Sequence, residues 1–231
     1  MRRLFQAIAA VLVMALPGYG DDMPVVVELY TSQGCSSCPP ADEMMHELAS
    51  RDDVIALSLH VDYWDYIGWK DEFADPYNAK RQRGYAMAAG RRTVYTPEMI
   101  VNGMTDIVGA KPMKLAMAIE HHKKDRPVVD LSVARVAEKI AINATPLDTG
   151  VGPVLVQMLR YQPARVAKIS RGENAGRTIQ YVNVAQDWQT LGTWEGNSAL
   201  TLEVDAPGDW PVVVLMQQTN YGPIVAARRV D

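Results

Sequence analysis

The hydrophobic pattern along the first half of the chain changes period in a regular order. Residues 25–30 form a valine-rich apolar run broken only by Glu28, as expected of a strand buried on both faces. The polar loop Thr31-Ser32-Gln33-Gly34 follows. Ala41, Met44, Met45 and Leu48 then recur at helical spacing, Pro39 and Pro40 fit a first turn, and Asp42 and Glu43 suit its positive end, so a helix is predicted over 38–50. A second apolar run at 54–61 predicts another strand, and a helix between two such strands points to a parallel βαβ unit. An insertion at 62–92 contains Trp64, Trp69, Phe73, Tyr77 and Tyr85, with a helix expected over about 74–89 and Gly90 as its stop. Residues 98–101 and 105–108 flank Asn102-Gly103, a strong hairpin signal, and a last helix is expected over about 111–124.

Beyond Arg126 the texture changes. Short apolar stretches at 154–159, 178–184, 199–204, 212–216 and 224–227 alternate with Gly, Pro, Asn and Asp clusters, the pattern of a sandwich or partial barrel. The expected organisation is an α/β domain over 21–125 followed by a β-rich, sandwich-like domain over 126–231, with the boundary near Lys124-Asp125-Arg126-Pro127.

The first twenty residues read differently. Met1-Arg2-Arg3, an apolar run at 4–16 and Pro17-Gly18-Tyr19-Gly20 make a signal peptide over 1–20. Its apolar run falls short of the roughly 20 residues a bilayer span needs, and no later stretch qualifies. The mature protein is therefore expected to be periplasmic or secreted and not membrane-spanning; Arg2-Arg3 ahead of Phe5 leaves both the ordinary and the twin-arginine export routes open. With 48% hydrophobic and 22% charged residues among 231, the chain has the composition of a folded globular protein. Its net charge of −4 becomes −6 once Arg2 and Arg3 are removed, which argues against nucleic-acid binding. The basic cluster Lys80, Arg81, Arg83, Arg91, Arg92 is read as a solvated helix face in preference to an anion site.

Two cysteines are present, Cys35 and Cys38, three residues apart. A bridge that short contributes little in the chain-entropy account, so chemistry is the better reason for it. Just ahead of a helix, Cys35 meets the positive end of the dipole and unpaired N–H groups that favour thiolate, which makes it the attacking thiol; Cys38, one turn in, resolves the mixed disulfide. Half of a zinc site has the same spacing, but there is no second pair and His46, His60, His121 and His122 show no ligand spacing with it; an idle structural disulfide is the other reading. Residues 60–65 sit at the carboxyl end of the second strand, where open α/β sheets place their sites, so Asp62, Trp64 and Asp65 are candidates to line a substrate groove. The alternative has Trp64 and Trp69 packing the insertion onto the sheet and the acids capping a helix. The twelve methionines, Met44, Met45, Met99 and Met104 among them, suit a core more readily than a copper site. No phosphate loop, dinucleotide fingerprint or serine-nucleophile elbow occurs, and no cofactor or metal is required.

Residues 25–38 with the helix after them, and Tyr95-Thr96-Pro97-Glu98-Met99-Ile100 ahead of a hairpin, resemble the thioredoxin superfamily. The resemblance implies a cis Pro97 lying against the cysteine pair and a Thr96 backbone that pairs with an extended substrate, whereas an ordinary trans proline opening an edge strand is the plain alternative. It also implies a role for Glu28, seven residues before Cys35. Many thioredoxins place a buried acid behind the second cysteine at a slightly shorter offset; here Glu28 would take the Cys38 proton, unless it is a strand residue turned to solvent. Over its whole length from about Val25, the chain resembles a bacterial family of secreted proteins, domain of unknown function 1223, with a thioredoxin-like domain followed by a β-rich half. The agreeing segments are residues 28–42, 60–65, 95–103 and Arg171-Gly172-Glu173-Asn174-Ala175-Gly176, the last expected as a β-turn loop or a loop facing the redox site. Ser36-Ser37 departs from the Gly-Pro of thioredoxin and the Pro-His of the strong periplasmic oxidant, so redox direction stays open. The function expected is an exported thiol-disulfide oxidoreductase acting on exported protein thiols or disulfides or a small thiol. The alternatives are a non-catalytic binding module on the same scaffold and a copper or zinc carrier.

Overall fold

The computed structural model describes residues 23–231, so the expected signal peptide lies outside the described residues. Every residue of the first strand, β1 (Val25–Thr31), is buried, because the strand is covered on both faces. Helix α1 (Pro39–Ala49) follows it, and β2 (Val54–His60) returns parallel to it with Val25 opposite Val54 and Thr31 opposite His60. Helix α2 (Pro76–Ala88) is capped by Asp75, whose carboxylate accepts from the Tyr77 N–H at 2.8 Å. The hairpin β3 (Glu98–Val101) and β4 (Thr105–Val108) turns at Asn102 and Gly103, with φ of 48° and 72°, as an Asn-Gly turn between twisted strands requires. Helix α3 (Pro112–His122) completes this half.

The second half is all β: β5 (Val129–Val136), β6 (Lys139–Pro146), β7 (Val154–Lys168), β8 (Thr178–Trp194), β9 (Leu200–Asp205), β10 (Val212–Gln218) and β11 (Ile224–Val230). The molecule is thus mixed α/β, with few helices and one large, mostly β sheet. That sheet has eight strands in the order β11-β10-β7-β8-β2-β1-β3-β4, while β5-β6-β9 form a second sheet of three. Strands from both sides of residue 126 therefore share a sheet, joined where Ser58 of β2 pairs with Val184 of β8 and the Asn183 amide donates to the Ala56 carbonyl at 2.9 Å. The expected short strands at 154–159 and 178–184 are the starts of two much longer ones, paired to each other along most of their length.

Alternation along β1 divides the core. Val25, Val27 and Leu29 face α1 and α3, packing on Met45, Leu48, Leu115 and Ile119. Val26 and Tyr30 face α2 and a layer built from Tyr85, Leu159, Val213, Leu215 and Ile224, so helix α2 lies on strands of both halves. Gly84 of α2 is required there: a Cβ would stand inside the ring of Tyr221. The three-stranded sheet closes a third core, with Ile140 and Ile142 against Val156, Val214 and Met216. Among the described residues no helix is long and apolar enough to cross a membrane.

Candidate functional site

From Thr31 the chain turns through residues 32–37 into α1, which seats the cysteine pair at the helix N-terminus. The Cys35 N–H donates to the Ser32 carbonyl at 3.1 Å and the Cys38 N–H to the Cys35 carbonyl at 3.2 Å. The two sulfurs are bonded as a disulfide, with Cα atoms 5.4 Å apart. Because residues 39 and 40 are prolines and the N–H groups of Ala41 and Asp42 go to the Cys38 carbonyl, the first turn acts on the pair through its dipole and not through free donors. That corrects the expected contribution of unpaired helix N–H groups.

Three of the other expected site residues, Thr96, Pro97 and Trp64, meet beside this disulfide. The Thr96-Pro97 peptide is cis. The Ser37 hydroxyl lies 3.4 Å from Cys35 Sγ and donates to the Thr96 carbonyl at 3.5 Å, while the Trp64 indole N–H donates to Thr96 Oγ1 at 2.8 Å. Tyr66, 81% exposed, stacks on Trp64 with ring centroids 6.4 Å apart. Asp62 is half-buried in the same segment, where its carbonyl accepts from the Asp65 N–H at 3.1 Å. Ile67 and Trp64 come so near Gly34 that a Cβ there would lie 3.2 Å and 3.3 Å from them. The insertion and the β7–β8 loop close over the pair: the Asn174 amide donates to the carbonyls of Gln33 and Cys35, both at 2.9 Å. Cys35 is only 2% exposed and Cys38 not at all.

Glu28 is not brought to the cysteines. It projects from the β1 face opposite α1, where Arg81 Nε donates to Oε1 at 2.6 Å, Arg81 Nη2 to Oε2 at 3.2 Å and the Tyr85 hydroxyl to Oε2 at 2.6 Å. Arg81 is correspondingly buried, so the expected solvated basic face holds for Lys80 and Arg83 and fails for Arg81. Met45 and Met99 are core residues and Met104 is exposed. Among the described residues no three His, Cys, Asp or Glu side chains are placed to hold a metal ion together.

A different acid lies behind the pair. Asp42, four residues after Cys38 on α1, is buried and accepts from Thr31 Oγ1 at 2.7 Å. Beyond it His60 Nδ1 lies 2.7 Å from Asp71 Oδ2, which also accepts from the Gln33 N–H at 2.8 Å, and the His60 ring packs against Tyr181 of β8 at 4.6 Å. Burial pushes the Asp42 carboxyl up to about 7, against the lowering pull of His60 and the Thr31 hydroxyl. Burial raises Asp71 as well, yet His60 and the N–H groups of Gln33 and Phe73 hold it below its ordinary value. The sequence had one signal for Asp42, its helical spacing from Cys38, and none for the contact of Asn174 with Cys35.

Asp42 gives stability a pH dependence. At low pH the carboxyl is protonated in both folded and unfolded chains. As pH rises past about 4 the unfolded chain releases the proton while the folded one keeps it, so stability falls until about pH 7, beyond which both are ionised. Asp42→Asn is therefore expected to raise Tm at pH 8 and to leave it nearly unchanged at pH 4. An equal effect at both pH values would show that Asp42 is not the group responsible.

The family described as protein of unknown function (DUF1223) matches residues 26–217. Among solved structures, a crystal structure of a protein from Agrobacterium tumefaciens is similar at 32% identity, covering 91% of this chain and 95% of that one with a TM-score of 0.78. HBP35 of Porphyromonas gingivalis is similar in fold at 16% identity, over 91% of this chain and 76% of that one, with a TM-score of 0.60. No curated protein matches the chain.

Proposed function

The chain belongs to this family of proteins of unknown function, and from the site it carries we propose that it is an exported thiol-disulfide oxidoreductase built on a thioredoxin-like first half. The observation that carries the reading is the joined Cys35–Cys38 pair at the N-terminus of α1, linked through Ser37 to the carbonyl of Thr96 before a cis proline. The parallel β1-α1-β2 unit and the antiparallel β3-β4 hairpin on its other side support the thioredoxin-like assignment. In the reducing direction the Cys35 thiolate attacks a substrate disulfide and expels one thiolate. Cys38 then attacks the Cys35 sulfur, expels the second, and leaves the protein disulfide; two electrons pass from the cysteine pair to the substrate. The substrate is an exported protein or a small thiol, met in an oxidising compartment such as the periplasm, where a bridge of this kind persists. Trp64 and Tyr66 supply an aromatic rim beside Thr96 for an extended segment to lie on.

The deep burial of both cysteines favours a second reading, a binding module whose bridge is structural. Equilibration with glutathione separates the two. A potential within roughly −120 to −270 mV is expected for an exchange catalyst, and a value below about −300 mV with an unreactive Cys35 would identify a structural bridge.

A further inference from the structure

Burial limits what can reach Cys35. Ser36 and Ser37 beside it are exposed, whereas Cys35 itself is 2% exposed. Part of its cover comes from the β-rich half. Within residues 171–177, ahead of β8, Asn174 alone is buried and the rest of the loop is exposed. Its amide spends both hydrogens on the carbonyls of Gln33 and Cys35, each at 2.9 Å, and among the described residues no other hydrogen bond ties this loop to the first half. The amide cannot turn over, because Oδ1 would then face two carbonyl oxygens; as it stands, Oδ1 is buried without a hydrogen-bond partner among the described residues. An unpaired buried acceptor is costly, which offsets part of what the two bonds contribute and leaves the closed position marginal. The loop backbone rests on the insertion. Gly172 has a φ of 76°, and a Cβ there would lie 3.3 Å from the Cβ of Trp69, whose indole N–H donates to Gln33 Oε1 at 2.7 Å. Gln33 thus joins three segments, its side chain holding the insertion and its carbonyl holding the loop.

We propose that residues 171–177 form a lid over the cysteine pair with Asn174 as its latch, and that this lid restricts exchange to small, non-protein thiols and disulfides; this rests on the disulfide-exchange reading. A folded protein carries its disulfide on a broad surface, and that surface meets the lid and the Trp64–Tyr66 rim before its sulfur comes within bonding reach of Cys35. A small disulfide brings its sulfur on a flexible stem and enters past Ser37, which lies 3.4 Å from Cys35 Sγ, without displacing Asn174. The latch holds backbone carbonyls and neither sulfur, so Asn174 positions the lid and takes no part in bond making.

The test sets the reduced mature protein against two nitrothiobenzoate adducts, one on glutathione and one on the single surface thiol of a folded carrier protein. In each, the Cys35 thiolate bonds to the glutathione or carrier sulfur, the S–S bond breaks, and nitrothiobenzoate leaves with the electron pair as a coloured thiolate, so one leaving group serves both. Each rate is divided by that of dithiothreitol on the same adduct. The wild type is expected to react with the glutathione adduct about a hundredfold faster than with the carrier, and Asn174→Ala to narrow that ratio about tenfold by raising the carrier rate, as the loss of two hydrogen bonds from the closed state shifts the population toward the open one. Gly172→Ala, which lifts the loop from Trp69 with Asn174 in place, is expected to narrow the ratio in the same direction. A wild-type ratio near one overturns the lid. An unchanged ratio in Asn174→Ala overturns Asn174 as its latch, since a merely structural loss moves both rates together. If that variant does not fold, an unchanged ratio in Gly172→Ala overturns the proposal. No release from the glutathione adduct overturns the exchange reading itself, and this proposal with it.

Discussion

Serine at position 35 is expected to leave no covalent adduct when the protein is incubated with oxidised glutathione, whereas serine at position 38, with Cys35 reduced, is expected to trap one glutathionyl group per chain. The asymmetry follows from placement. Cys35 precedes the helix and lies 3.4 Å from the Ser37 hydroxyl, which in turn donates to the carbonyl of Thr96. Cys38 is the N-cap residue, wholly buried, and reaches only its neighbour. Without Cys38 the mixed disulfide on Cys35 has nothing to resolve it and accumulates. Neither replacement should unfold the chain, because a bridge closing so small a loop contributes about 2 kcal/mol in the chain-entropy account. Intact-mass measurement reads the result directly. Equal adducts on both variants, or none on either, would remove Cys35 from the attacking role.

The largest loss of stability is expected at Arg81. Its side chain is 1% exposed and pairs with Glu28, which is fully buried. Around this pair Arg81 donates to the Tyr85 hydroxyl at 2.8 Å and to Gln157 Oε1 at 3.3 Å, Gln217 donates to the Tyr85 hydroxyl at 2.8 Å, and the Trp188 ring lies 4.3 Å from the guanidinium. Those partners come from α2, β1, β7, β8 and β10, so one ion pair ties the helical half to the β-rich half. Removing one member strands the other charge in the core. Arg81→Met is expected to cost about 3–5 kcal/mol, while Glu28→Leu combined with Arg81→Met recovers much of it, since an apolar pair leaves no orphaned charge. Urea unfolding of both singles and the double measures the coupling. Additive losses would mean that the two side chains do not depend on each other.

The identity of the first-half elements was legible because each has a local cause. Valine runs, proline at a helix start, Asn-Gly between short strands and helical spacing of Ala41, Met45 and Leu48 all act over a few residues. Predicted helix bounds at 38–50 and 111–124 differ from Pro39–Ala49 and Pro112–His122 by a residue or two at each end. The cysteine pair was legible for the same reason, since its spacing and its seat before a helix are local facts.

Glu28 marks where local reasoning stops. On a strand buried on both faces there is no alternation of apolar and polar residues to tell the two sides apart, so the sequence shows an acid in the core without showing which layer it enters. That choice depends on Arg81, 53 positions away, entering the same layer from α2. Asn174 bonds to Cys35 across 139 positions, and Ser58 meets Val184 to join the halves into one sheet; no short pattern encodes either contact. The sequence alone thus determined the elements of the first half, the β character of the second and the seat of Cys35 and Cys38 ahead of a helix, because those rest on backbone preference and residue type. The burial of that pair under Trp64, Ile67 and Asn174, the partner of Glu28 and the buried place of Asp42 beside Thr31 came from long-range packing, because each is set by which distant surfaces must bury polar groups against one another.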